Sequence, residues 1–138
     1  MISFRFSGVL LSIVLVGILS LCGGKMSEEE MYTVAQKHYA EEEYDKTVEL
    51  YKDLVNEYPE SADRPKAFFM IGYIYANHLQ DTVNAKAFYN RLKTEYPDDE
   101  FVDDAEFELK ILGMSPDDLD KMLQDRISQA ESDQKKKK

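Results

Sequence analysis

Apolar residues recur at spacings of three and four along most of the chain, and the polar stretches between them divide it into six helical segments. Met31, Val34, Ala35, His38 and Tyr39 share one side of a first helix that starts near Glu28 and fades at Glu41-Glu42-Glu43. Tyr44, Val48, Tyr51, Leu54, Val55 and Tyr58 mark a second, which must stop before Pro59 because the residue ahead of a proline is pushed out of the helical region. Asp63 is placed to cap a third helix, with Pro65 in its first turn and an end near His78. Asp81-Thr82 opens a fourth, carrying Ala85, Phe88, Tyr89, Leu92 and Tyr96 and closed by Pro97. Phe101, Val102, Ala105, Leu109 and Leu112 form a fifth, ended by Gly113. Ser115-Pro116-Asp117-Asp118 is a helix start signal, followed by Leu119, Met122, Leu123 and Ile127 on one side of a sixth. No stretch alternates with the period of a strand.

The third segment differs from the others. Ala67 to Ala76 is ten residues without a charge, in a chain whose charged side chains make up 32 % of the total. Phe68, Ile71, Ile74 and Tyr75 fall on one side of the helix, and Phe69, Met70 and Tyr73 on the other. A helix apolar all round has neighbours on most sides, so this is the expected centre of the core. Gly72 in its middle costs about 1 kcal/mol of helix propensity relative to Ala, and close approach of a second helix is the expected compensation.

Two parts of the chain also repeat at an offset of 38 residues. Glu57-Tyr58-Pro59-Glu60 returns as Glu95-Tyr96-Pro97-Asp98, Ala67 as Ala105, Ile71 as Leu109, and Thr47, Tyr51 and Leu54 as Ala85, Tyr89 and Leu92. A helical hairpin of this size cannot bury its own apolar face, and stacked hairpins make one continuous core.

These units resemble tetratricopeptide repeats. In the first, Val34-Ala35, His38, Thr47, Tyr51 and Pro59 stand at that family's characteristic positions; in the second, Ile71-Gly72, Tyr75, Ala85, Tyr89 and Pro97 do so more closely. Thr47 replaces the usual Ala, and the turn from His78 to Thr82 has an extra residue. A third unit keeps its first helix but has Lys110 in place of Gly and no closing proline, as in a terminal cap. The resemblance implies an all-α fold of antiparallel hairpins stacked as a short solenoid of about six helices over residues 28–130. It also implies a concave groove lined by the first helix of each unit, with Tyr32, Gln36, Tyr39, Phe69, Tyr73, Asn77, Phe107 and Ile111 facing a protein ligand. The rings of Tyr39, Phe69 and Tyr73 are then expected to be partly open to solvent and to cost little stability on truncation. The Lys/Asn arrangement that grips a C-terminal carboxylate in some relatives is absent.

The N-terminus adds an address. Residues 1–21 carry one basic residue, Arg5, before the 17-residue uncharged run from Phe6 to Cys22, the layout of a signal peptide. Leu19-Ser20-Leu21-Cys22-Gly23-Gly24 resembles a bacterial lipobox, in which the signal is cut before a cysteine that is then lipidated; Leu21 departs from the small residue usual there. An uncleaved membrane anchor and an incidental cysteine are the other readings of this segment. Residues 22–27 form a short flexible link, and 131–138 a disordered Lys-rich tail. The Tyr-Pro-acid phrase and the alanine-led aromatic helix after it resemble the BamD family of outer-membrane assembly lipoproteins and related periplasmic repeat proteins. That resemblance implies a lipid-anchored envelope protein, in the outer membrane and facing the periplasm.

Charge and chemistry narrow the function. The net charge of −10 argues against nucleic acid, which needs clustered Lys or Arg against phosphate. Cys22 is the only cysteine, so no intramolecular disulfide forms. His38 and His78 fall in different hairpins without a cysteine partner and read as structural or surface residues. The acids Asp98 to Glu108 lack the glycine and ligand order of a calcium loop and read as a solvated helix face. No phosphate loop or nucleophile set is present, so the sequence predicts no enzyme, metal site or cofactor. The expected function is an adaptor that binds another envelope protein or peptide through its groove, held to the membrane by lipid at Cys22. A structural subunit that self-associates through its C-terminal helices is the alternative.

Overall fold

The uncharged stretch lies inside the third of six helices among the described residues: α1 (Glu28–Ala40), α2 (Tyr44–Glu57), α3 (Arg64–Asn77), α4 (Thr82–Glu95), α5 (Phe101–Ile111) and α6 (Pro116–Lys136). The computed structural model describes residues 25–136, so the expected signal segment, Cys22, Gly23 and Gly24 lie outside the described residues. Among the described residues there is no strand, and no helix is long and apolar enough to cross a membrane. The fold is an all-α stack of helical hairpins. Short reversals join α1 to α2 and α3 to α4, which sets each pair antiparallel. The hairpins stack through α2 against α3 and α4 against α5, and α3 also meets α5.

Burial follows the predicted pattern. Pro65, Ala67, Phe68, Ile71, Gly72 and Ile74 of α3 are buried, and Phe69, Met70, Tyr73 and Tyr75 are half-buried against the neighbouring helices. Around them lie Met31 and Ala35 from α1, Val48, Tyr51, Leu54 and Val55 from α2, Ala85, Tyr89 and Leu92 from α4, and Ala105 from α5. Gly72 faces Tyr89 on α4, so the close approach is made inside one hairpin. Thr47 sits fully buried where Ala is usual, its hydroxyl donating to the Glu43 carbonyl at 3.0 Å and so leaving no unpaired polar group.

The repeat recurs in backbone detail. Tyr58 and Tyr96, each ahead of its proline, have nearly the same conformation (φ −124°, ψ 70° and φ −137°, ψ 61°). Each hydroxyl reaches the entry of its own hairpin: Tyr58 donates to the Met26 carbonyl at 2.6 Å, and Tyr96 lies 2.6 Å from Arg64 Nη1. Ser61 Oγ accepts from the Asp63 amide at 3.0 Å, and Asp99 Oδ1 accepts from the Phe101 amide at the same distance, again 38 residues on.

Two expectations are corrected. Asp63 makes no side-chain cap, because its own backbone is already helical (φ −84°, ψ −4°) and a capping residue needs an extended one; Ser61 holds the turn instead. The expected disordered tail is helical as far as Lys136, since α6 meets no Gly or Pro after Pro116 and its closing lysines lie at the negative end of the helix dipole. Of the remaining helix starts, Asp81 and Ser115 cap as their sequence signals, accepting from the Asn84 and Asp118 amides, and Ser27 caps α1 by accepting from the Glu30 amide.

Candidate functional site

α1 and α3 lie side by side in the same direction, since contacts join their starts and their ends in register. At the starts, the Lys66 ammonium stands 5.1 Å from the ring centre of Tyr32, which also packs edge-on against Tyr51. At the ends, His78 is bracketed by Tyr39 and Tyr73, with ring centres 5.7 and 5.9 Å away, and is stacked on Tyr44 at 3.9 Å. The Tyr39 hydroxyl lies 3.3 Å from His78 Nε2. Burial, with Tyr73 and Tyr44 close by, keeps the Tyr39 phenol above its ordinary pKa. His78 continues the end of α3, its amide donating to the Ile74 carbonyl at 3.0 Å, and Gln80 in the turn after it takes a left-handed backbone (φ 55°).

Phe69 continues the aromatic face toward α5. It stacks on Tyr73 at 6.3 Å and on Phe101 at 5.5 Å, and leans on buried Tyr89 at 5.7 Å. Of the eight predicted groove residues, Tyr39, Phe69 and Tyr73 are thus linked through ring contacts, with His78, expected only as a structural or surface residue, between Tyr39 and Tyr73, and Phe101 extending the row beyond Phe69. All three are half-buried and packed against neighbouring rings, so they support the fold as well as presenting a surface. Gln36 and Asn77 are exposed, and the Asn77 amide donates to the Tyr73 carbonyl at 3.1 Å. Phe107 is 40 % exposed beneath the Arg126 guanidinium, at 5.6 Å, and Ile111 is half-buried. No ring contact ties Phe107 to the Phe69 cluster, so the α5 end of the face is a separate patch.

The surface is anchored by an ionic node that the sequence did not flag. Arg64 donates from Nε to the Val55 carbonyl at 2.9 Å, approaches the Tyr96 hydroxyl with Nη1, and pairs through Nη2 with Glu95 at 3.0 Å. Arg91 pairs with the other Glu95 oxygen at 2.9 Å, and both guanidiniums lie over the buried ring of Phe68, at 5.1 and 4.5 Å. Lys52 adds a second tie between the hairpins, donating to the Tyr75 hydroxyl at 2.6 Å.

Polar clusters elsewhere are structural in geometry. His38 Nδ1 bonds Glu43, and Glu41 lies close enough that the three could offer ligand atoms within 4.8 Å of one another. Both carboxylates are already engaged by lysines: Lys46 reaches Glu43 at 2.7 Å and Lys37 reaches Glu41 at 3.9 Å. The bonds from Lys46 and then His38 hold the Glu43 carboxyl below its ordinary pKa. The trio closes the turn between α1 and α2, whose middle residue Glu42 is left-handed (φ 59°).

Compared with known families, residues 31–61 and 66–99 match the tetratricopeptide repeat, one match for each of the first two hairpins. These two hairpins are tetratricopeptide repeats. The matched stretches hold α1 with α2 and α3 with α4, so the aromatic residues of α1 and α3 belong to the first helices of two adjacent repeats. No curated protein and no solved structure matches the chain. α5 lies outside the matched residues but packs on the second repeat through Ala105, which is fully buried. Tetratricopeptide repeats serve generally as scaffolds that bind other proteins or peptides, and this face has the matching character: aromatic, with exposed amides at Gln36 and Asn77.

Proposed function

We propose that the protein is a membrane-tethered adaptor that receives a segment of another envelope protein on the α1–α3 face and has no catalytic chemistry of its own. The observation that carries the proposal is the continuous aromatic path Tyr39–His78–Tyr73–Phe69–Phe101, bordered by the uncommitted amide of Gln36 and by Asn77. Aromatic anchors with nearby amide groups suit an apolar side chain flanked by peptide backbone. Lipid attachment at Cys22, following removal of residues 1–21, would hold the domain at the bilayer, with the outer membrane and its periplasmic side as the proposed location. A role in outer-membrane protein assembly or envelope upkeep fits that placement.

The test uses the full-length protein in its membrane. Cross-linked partners are compared between the native chain and a Gln36→Ala, Asn77→Ala variant, whose changes fall on exposed side chains. A partner lost from the variant while its melting temperature holds supports the groove. Unchanged capture places the binding surface elsewhere. Mass spectrometry of the mature N-terminus tests the anchor: acyl mass on Cys22 is expected, and an unmodified chain starting elsewhere refutes it.

A further inference from the structure

α6 leaves the helical stack. It meets α5 only along one edge, where Leu119 and Met122 are half-buried and Arg126 lies over Phe107. Lys110 fits this divergence: with no helix packed closely behind α5, the position that is Gly72 in the second repeat tolerates a long exposed side chain. The rest of the α6 stripe is bare, with Leu123 at 47 % and Ile127 at 53 % exposure. Leu119, Leu123, Ile127 and Ala130 follow at spacings of four, four and three, which keeps them on one face of a helix. At 21 residues the helix is about 32 Å long, and helices of mixed polar composition owe most of their stability to packing an apolar face.

Charge says what covers that face. Residues 116–125 carry four aspartates against one lysine, whereas 126–138 carry Arg126 and four terminal lysines against Glu131 and Asp133. Two copies side by side in the same direction would set acids on acids and lysines on lysines. Reversed, each acidic half meets a basic half.

We propose that α6 is a self-association element through which two copies of the chain pair in antiparallel fashion, with Leu123 near the two-fold axis and Leu119 of one copy against Ile127 of the other. Centred there, Lys135 and Lys136 extend past the partner's Pro116 toward its acidic α5, where Asp103, Asp104, Glu106 and Glu108 lie. This goes beyond the adaptor reading and stands or falls separately from it, because the residues concerned are outside the aromatic face of α1 and α3.

Sedimentation equilibrium of the full-length chain in neutral detergent tests it, with the native chain and two double variants compared at low and high salt. A dimer is expected at micromolar concentration. Leu123→Glu with Ile127→Glu should weaken it at least about tenfold while leaving the helical melt of the repeats in place, since both side chains are exposed. Lys135→Glu with Lys136→Glu should weaken it at low salt, and high salt should narrow that difference. A chain that stays monomeric up to about 100 µM overturns the proposal. So does a dimer that the Leu123/Ile127 variant leaves intact, which would place association elsewhere, or one that the lysine reversal leaves unchanged or strengthens, which would exclude the antiparallel pairing.

Discussion

A Cβ placed on Gly72 would stand 2.7 Å from both Cδ1 and Cε1 of Tyr89. The ring is fully buried and is backed by Phe69, so it has little room to withdraw. Gly72→Ala improves helix propensity by about 1 kcal/mol, but the overlap is with the side of a rigid ring, and overpacking of this kind costs about 1–3 kcal/mol. A net loss of stability is expected in urea or thermal melts, larger for Gly72→Leu. A gain in either variant would mean that Tyr89 moves freely.

Arg64 ties three helices at once, and its side chain is only 16 % exposed. Arg64→Lys keeps the charge but cannot make the three directed contacts to Val55, Tyr96 and Glu95, so it is expected to cost about 1–3 kcal/mol. Equilibrium unfolding of the Lys and Met variants checks this; two losses of under about 0.5 kcal/mol would reduce the node to a surface ion pair.

Much of this was legible in the sequence, and the reasons are specific. Periodicity placed six helices because the apolar stripes are interrupted by Pro59, Pro97 and Gly113, which end helices for backbone reasons that need no tertiary context. Gly72 pointed to a close helix contact, though the partner turned out to be its own hairpin. Ser61 and Asp99 were readable as equivalents at the 38-residue offset, yet Asp63 drew attention as the nearer capping residue. Arg64 was not readable at all: its three partners are separated from it by nine to 32 residues, and no local pattern encodes a node of that kind. His78 entered the aromatic face for a similar reason, since the Tyr39 hydroxyl it meets lies 39 residues away and Tyr44 is in the other hairpin.

Phe69 packs against three rings, those of Phe101, Tyr73 and Tyr89, so its truncation cannot be silent. Phe69→Ala is expected to cost about 1–3 kcal/mol, below the 3–5 kcal/mol of a wholly buried Phe. Phe107→Ala, at the exposed end of the face, should change stability by less than about 0.5 kcal/mol. Parallel thermal melts separate the two, and equal losses would contradict the difference in packing.

Burial raises the Glu108 carboxyl above its ordinary pKa of 4.5, with Asp104 adding repulsion. An acid whose pKa is higher folded than unfolded favours protonation of the folded state, so it subtracts stability at neutral pH and returns it as pH falls through the folded value. Glu108→Gln should therefore melt higher than the native chain at pH 7, and the two curves should converge toward pH 4. A variant that melts lower at pH 7 would show that the ionised carboxylate is doing something favourable there.

The ties that Arg64 and Lys52 make across the α2–α3 boundary bear on how the molecule opens. In a linear array, units joined by weak interfaces come apart one at a time, whereas strong ones make neighbours unfold together. Backbone amides of α1 to α4 should accordingly exchange with deuterium at one common, slow rate set by global unfolding. Those of α6, with only an edge on α5, should exchange orders of magnitude faster in dilute solution and slow as the protein is concentrated, if a second copy covers the Leu123–Ile127 face.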